Sequence, residues 1–208
     1  ESEQGVDFDH PVYVDFLDAD QYRKLAGSGG EGGEEAGPGD ADVAEDELAL
    51  YRALGLISGA PDLDAANESI WADGTAAFYD PYEDRIVVRG APVDGALPLE
   101  LQVVVVHELA HALQHQVVDL DTLYGPEDEL VTTETSDSLL AVLEGDATVL
   151  EGAFVEQLDP AQYDELAAAG DARFEESEQA LTGAEVPDVL STMFSMPYQF
   201  GPSWVDVE

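Results

Sequence analysis

Residues 97–118 read LPLELQVVVVHELAHALQHQVV, a mainly apolar run that nevertheless carries His107, Glu108 and His111. In a helix, residues four apart lie on the same face, one turn from each other. His107 and His111 would therefore present two imidazole nitrogens to one metal ion. An ionised glutamate within such a run is costly unless it is paired or lies near a metal. We therefore predict a helix over Leu97–Val118 that contributes two metal ligands.

The spacing His-Glu-x-x-His is typical of zinc enzymes in which two histidines bind the ion and the glutamate is the general base for a zinc-bound water. The sequence therefore predicts Zn²⁺ as the cofactor and Glu108 as the base of a zinc-dependent metallopeptidase that acts on a peptide or protein substrate. The competing interpretation is a buried helix whose histidines are satisfied core residues. The chain has four histidines, and two of them on one helix face favour the metal site.

A catalytic zinc ion needs a third protein ligand. His115 lies two helical turns beyond the first histidine, about 12 Å along a straight helix, so we expect it to be structural or at the rim of the site. Glu144 is the better candidate, because it is a carboxylate inside an apolar helical run. Glu151 falls on roughly the same helix face and is the second choice. Gly145 would allow the two helix backbones to approach closely.

Two segments resemble the gluzincins, a family of zinc metallopeptidases: residues 107–114, HELAHALQ, and residues 143–148, LEGDAT. The similarity is to the small, minimal gluzincins of prokaryotes. It extends to Phe78-Tyr79-Asp80-Pro81 and to the segment 197–201, and it spans roughly residues 75–205.

The resemblance implies that His107, His111 and Glu144 are the zinc ligands and that Glu108 is the general base. It also implies that the strand near Phe78–Tyr79 borders the cleft, where an extended peptide could add as a further strand. The fold that it implies is zincin-like.

The chain departs from the family at Thr148, where many gluzincins carry an aspartate that orients a ligand histidine. Loss of such a carboxylate can cost about 10- to 100-fold in metal affinity or activity. Asp146 lies two residues from Glu144 and is expected to face elsewhere, so another group, such as Asp137 or a backbone carbonyl, would substitute. The departure favours an alternative function, a catalytically inactive zinc-binding or protein-interaction domain derived from a metallopeptidase.

Stabilisation of the oxyanion in peptide hydrolysis needs a second group besides zinc. We predict Tyr198 in this catalytic role, with Tyr79 as the second choice. The competing interpretation is that each aromatic ring packs in the core or at the rim of the site.

The composition is strongly acidic. Of 208 residues, 47 are acidic and six are basic, for a formal charge of −41, while 45% are apolar. We expect a folded protein from a halophile, because molar salt shortens the Debye length to about 3 Å and weakens the repulsion. An acidic surface for a basic partner is the alternative. The charge argues against a nucleic-acid partner, and the absence of cysteine excludes disulfides and thiolate metal sites.

The remaining pattern predicts an α+β fold, a mainly helical zincin-like domain with a small β-sheet or hairpin packed beside the active-site helix. Alternating apolar residues predict a strand over 11–17, and two runs around a Pro/Asp turn predict a hairpin of Thr75–Tyr79 and Arg85–Arg89. Further helices are predicted over residues 18–26, 43–58, 136–158, 160–181 and 187–196. In the helix over 160–181, the side chains expected to face inward are Tyr163, Leu166 and Phe174.

The domain organisation is predicted as follows. Residues 1–26 form a strand and a helix of the same domain, residues 27–42 a flexible Gly/Glu-rich loop, and residues 43–208 the zincin-like metallopeptidase domain. No apolar run is long enough to span a membrane. The chain starts with Glu1 and stops soon after an aromatic segment, so we expect a removed N-terminal signal, an extracellular or cell-surface location and a truncated C-terminus. The pattern carries no information on oligomeric state.

Overall fold

The fold is mainly helical with one small sheet, as seen in a computed structural model that describes residues 7–27, 40–118 and 133–205. The strands are β1 (Tyr13–Leu17), β2 (Ala77–Asp80) and β3 (Arg85–Arg89). The helices are α1 (Ala19–Gly27), α2 (Asp40–Ala53), α3 (Leu63–Gly74), α4 (Leu99–Val117), α5 (Thr133–Val155), α6 (Pro160–Gly183), α7 (Asp188–Phe200) and the short α8 (Pro202–Val205). The α+β class predicted from the sequence is confirmed.

The sheet places β3 in the centre, with β1 parallel to it on one side and β2 antiparallel on the other. Ile86, Val87 and Val88 are fully buried. Ile86 and Val88 pack towards α4, whereas Val87 packs against Tyr22 of α1. Because both faces of β3 are covered, the strand is a continuous apolar run rather than an alternating one. The predicted hairpin is confirmed. Its first strand begins two residues later and ends one residue later than predicted.

Helix α4 lies between the sheet and α5, and this position brings the predicted metal ligands together. Its bounds, Leu99–Val117, agree with the predicted helix. Leu101, Val104 and Leu109 contact the sheet, while the opposite face packs along α5. The helix is thus covered on two sides, which explains why apolar residues occupy most of its positions.

The C-terminal end of α7 packs against α5 through two glycines. A Cβ atom on Gly145 would lie 2.9 Å from the Cα of Gly201, and a Cβ on Gly201 would lie 2.9 Å from the Cα of Gly145. Only glycine allows backbones to come this close. The close approach expected of Gly145 therefore exists, but its partner is the end of α7 rather than α4. Helix α7 also continues through Pro197 to Phe200, beyond the predicted end.

The predicted inward face of α6 is wrong. Tyr163 and Phe174 are 56% and 68% exposed, and Leu166 alone of the three is partly covered. The more covered face also includes Ala169 and Arg173. The apolar residues of α6 do not share one helical face, so their spacing could not fix its rotation.

The N-terminal elements pack with the rest of the chain, since Tyr22 of α1 is buried against Phe78 and Val87. Asp18 caps α1, because it accepts a hydrogen bond from the backbone N–H of Gln21. The predicted loop over 27–42 lies largely outside the described residues, and α2 begins at Asp40 instead of Val43. Of the helices in the described ranges, none combines the length and apolar character needed to cross a membrane.

Candidate metal centre

Three side chains from α4 and α5 meet at one point. The Nε2 atom of His107 lies 3.1 Å from Oε2 of Glu144, and the Nε2 atom of His111 lies 3.3 Å from the same oxygen. The two Nε2 atoms are 3.2 Å apart. In the described part of the chain, this is the one group of three or more such side chains close enough to hold an ion. The helix pairing thus brings together the three predicted ligands.

The spacing of these atoms fits a zinc ion. A tetrahedral ion with bonds of about 2.0–2.1 Å separates its ligand atoms by about 3.3 Å, which matches the three observed distances. Two imidazole nitrogens and one carboxylate are also a common ligand set of catalytic zinc sites, which keep the fourth position for water or substrate. The donor set therefore fits Zn²⁺ in both chemistry and geometry.

The outer nitrogen of each histidine has its own partner. Nδ1 of His107 lies 3.2 Å from Oε2 of Glu151. Nδ1 of His111 lies 3.0 Å from Oε1 of Gln114, whose Nε2 in turn donates to Asp146 at 2.8 Å. Such partners fix the tautomer and the orientation of a ligand histidine. Glu151, the second choice for a ligand, instead supports His107.

Two expectations about the missing family aspartate are corrected by this arrangement. Asp146 does not face away from the site, because the long Gln114 side chain reaches it from α4. The carboxylate next to the outer nitrogen of His107 is that of Glu151 rather than Asp137. Thr148, at the family position, leaves its buried hydroxyl oxygen without a hydrogen-bond partner among the described residues.

The three predicted ligands also stabilise one another through shared protons. Burial alone would lower the pKa of His107, but hydrogen bonds with Glu144 and Glu151 outweigh it and raise the pKa to about 10. Burial would raise the pKa of Glu144, but hydrogen bonds from both histidines lower it to about 2. The pKa of His111 is raised in the same way, against the effect of burial. A divalent cation bound here would take the place of these protons.

Glu108 lies beside the cluster without joining it. The side chain is buried, and burial raises the pKa of its carboxyl group against the opposing effect of the two histidines. The backbone N–H of Tyr79 donates a hydrogen bond to this carboxylate. Glu108 is therefore held between His107 and His111 on one side and the edge strand β2 on the other.

Of the two predicted tyrosines, Tyr198 is the one whose hydroxyl reaches the cluster. Its ring lies over that of His107, with centroids 5.8 Å apart, and its hydroxyl donates to Glu144. Burial raises the pKa of Tyr198, so the hydroxyl keeps its proton. The hydroxyl of Tyr79 instead contacts Asp84 at 2.7 Å and His115 at 3.1 Å. This contact places His115 outside the ligand set, as expected.

A cleft with two halves passes the cluster. The Pro81 half is lined by residues that include Trp71, Phe78, Pro81, His111, Leu140 and Leu143. The Arg173 half is lined by residues that include Gly74, Ala76, Val104, Glu151, Arg173 and Phe194. Both halves share Thr75, Ala77, His107, Glu108 and Tyr198. His107 and Glu108 therefore lie where the two halves meet, whereas His111 and Glu144 line the Pro81 half alone. A substrate could extend in both directions from this point.

Sequence reasoning misses two residues at this site, Gln114 and Arg173. Gln114 carries a usable signal, because it follows His111 by three residues and so lies on the same side of the helix. Arg173 carries only its rarity, as one of six basic residues in the chain.

Comparisons with protein-family models, with curated proteins and with solved structures gave no match to this chain.

Proposed function

We propose that this protein is a zinc-dependent metallopeptidase with a zincin-like domain of the gluzincin type. The observation that carries the proposal is the His107–His111–Glu144 cluster with the buried carboxylate of Glu108 beside it, midway along a cleft. A metal site with a purely structural role would need neither the cleft nor an unligated carboxylate at this position.

The catalytic roles follow from position. His107, His111 and Glu144 would hold zinc, which lowers the pKa of water and polarises a peptide carbonyl when bound in such a site. Glu108 takes the proton of the attacking water and passes it to the leaving amine. Its burial supports this role, because a raised pKa makes its carboxylate a stronger base than an exposed glutamate.

Tyr198 supplies the second stabilising group for the oxyanion in this proposal. Its protonated hydroxyl already lies at the cluster, and its ring is fixed by contacts with His107 and Phe194. To act, the hydroxyl would exchange its hydrogen bond to Glu144 for one to the developing negative charge.

An extended peptide is the proposed substrate because β2 is an edge strand of the described sheet. The backbone N–H of Arg89 donates to Ala76 at 2.9 Å, and alternate residues of an antiparallel pair bond to the partner strand. The backbone groups of Ala77 and Tyr79 therefore point away from β3, towards the cleft. Tyr79 uses its N–H for Glu108, and the backbone groups of Ala77 are placed to bind a peptide as a further strand.

The test is the Glu108→Gln variant in molar salt. We expect it to retain zinc, as measured by metal analysis after dialysis, and to digest a peptide library about 10²- to 10⁴-fold more slowly than wild type. Glu165→Gln, which removes one exposed charge on α6, is the matched control and should cut at the wild-type rate. A chelator should stop the digestion.

Two results would contradict the proposal in different ways. Hydrolysis by Glu108→Gln at a near wild-type rate would remove the assignment of the base. A wild-type protein that binds zinc but leaves the library uncut would instead support the alternative, a zinc-binding or protein-interaction domain without catalysis.

A further inference from the structure

Arg173 is the residue of the cleft to which the peptidase proposal gives no role. It lies on the more covered face of α6, with its side chain 33% exposed, and lines the Arg173 half together with Glu151 and His107. Apart from histidines, it is the one basic residue among those lining the two halves. The neighbouring charged groups, Glu108 and Glu151, are carboxylates, so an anionic ligand could be attracted here only by Arg173 or the metal.

Arg173 also differs from the other arginines in its partners. Arg23 and Arg85 donate to carboxylates at 2.6 and 2.9 Å, and Arg52 and Arg89 donate to backbone carbonyls. Arg173 donates no hydrogen bond to any described residue, and its nearest acidic oxygen, on Glu100, is 3.9 Å away. That distance is too long for a hydrogen bond, so the guanidinium keeps its donors for another partner.

The direction of β2 indicates which part of a peptide would reach Arg173. Gly74 and Ala76 precede the strand and line the Arg173 half, whereas Pro81 follows it and lines the other half. Antiparallel pairing is the commoner arrangement of strands. A peptide that adds antiparallel to β2 would therefore place the part C-terminal to the scissile bond beside Arg173.

We infer that Arg173 binds a carboxylate of the substrate on the C-terminal side of the scissile bond. The inference rests on the proposed peptidase function and names the substrate class of the same site. A guanidinium matches a planar carboxylate with two parallel hydrogen bonds, whereas a backbone carbonyl leaves its charge uncompensated. The carboxylate is either the C-terminal α-carboxylate of a short peptide or the side chain of Asp or Glu.

Binding to the zinc-loaded Glu108→Gln protein tests this inference without turnover. The probes are fluorescent peptides of one sequence, as the free acid and as the C-terminal amide, each with Glu or Gln at the position after the scissile bond. In molar salt, we expect one carboxylate to tighten binding about 10- to 100-fold. A preference for the free acid over the amide would identify the terminal carboxylate, and a preference for Glu over Gln would identify the side-chain carboxylate.

Substitution assigns the preference to Arg173. Adding Arg173→Gln should abolish it and leave affinity for the fully neutral peptide unchanged, while Arg173→Lys should retain part of it, because an ammonium lacks the bidentate geometry. Arg52→Gln removes the same charge outside the cleft and should keep the full preference. The inference would be overturned if Arg173→Gln weakened the binding of neutral and charged peptides equally. It would also be overturned if the preference for a carboxylate survived the substitution, or if the parent protein showed no such preference.

Turnover by the protein with Glu108 intact distinguishes failure of this inference from failure of the proposed function. Equal kcat/KM for neutral and carboxylate peptides would contradict only the role of Arg173. Carboxylate-selective binding without hydrolysis would contradict only the peptidase function. Neither binding nor hydrolysis of any peptide would contradict both.

Discussion

The two histidines of the candidate metal centre stand one turn apart and face the same carboxylate, yet their outer nitrogens are supported differently. His107 has the carboxylate of Glu151 as its partner, whereas His111 has the amide of Gln114. A carboxylate partner fixes the tautomer and also makes the imidazole more basic. An amide fixes the tautomer and adds no charge. The site therefore contains one histidine whose partner both orients it and raises its basicity, and one whose direct partner only orients it.

The difference also shows what α5 contributes. The helix provides Glu144 as a proposed ligand, Glu151 as the direct partner of His107, and Asp146 as the indirect partner of His111 through Gln114. The negative charge of Asp146 lies one hydrogen bond further from the metal position than that of Glu151. We expect this difference in distance to set the relative importance of the two supports.

The largest effect is expected from Glu151→Gln. The amide can keep a hydrogen bond to His107 but loses the charge, so zinc affinity should fall about 10- to 100-fold. Competition with a chromogenic chelator in molar salt measures the change, and Glu156→Gln, just beyond the end of α5, serves as the control. A change of less than about twofold, well below the range of about 10- to 100-fold for such partners, would contradict a contribution of the Glu151 charge at His107.

A smaller loss is expected from Gln114→Ala, about tenfold, at the low end of the range for such supports. The substitution removes the partner of His111 and the hydrogen bond from Gln114 to the backbone carbonyl of Leu143. Thermal unfolding of the metal-free protein separates these two effects. A greater loss of zinc affinity than in Glu151→Gln would reverse the comparison and make orientation the dominant contribution.

A third effect concerns the stability of the metal-free protein rather than its affinity for zinc. The pKa of His107, raised to about 10 by its carboxylate partners, stabilises the metal-free fold fully below the ordinary value of 6.5, and this contribution is lost as the pH rises through about 10. The lowered pKa of Glu144 stabilises the fold above 4.5, and this contribution is lost as the pH falls through about 2. Thermal unfolding of the metal-free protein should therefore shift to lower temperature between pH 7 and 10. Glu151→Gln should flatten this slope, whereas Gln114→Ala should leave it intact.

The sequence predicted the parts of the site that lie on one helix or that are marked by burial. His107 and His111 follow from helical spacing, and Glu144 stands out as a carboxylate within an apolar run. The roles of Glu151 and Asp146 could not be separated in this way, because they depend on the distance between α4 and α5. Periodicity gives the face of a residue but not the length of the gap that its side chain must cross.

For the fold, too, the sequence predicted the elements that depend on local patterns. Most of the helices and the hairpin were predicted from local patterns, but α3 (Leu63–Gly74) was not. The position of β1 beside β3 depends on a pairing across about seventy residues, which no local pattern encodes. The predicted inward face of α6 was wrong because the apolar residues of this helix do not share one face. Phe174 is the more apolar residue, but Arg173 occupies the more covered position, where it lines the cleft.

The contact between Gly145 and Gly201 ties the metal position to the far end of the chain. Gly145 directly follows Glu144, one of the three proposed ligands, and Gly201 lies three residues after Tyr198. A methyl group on either glycine would wedge α5 and α7 apart and draw the tyrosine ring off His107. The packing of α7 on α5 thus keeps the Tyr198 ring over His107, and a change at either glycine should expose the cluster to water while leaving His107, His111 and Glu144 in the sequence.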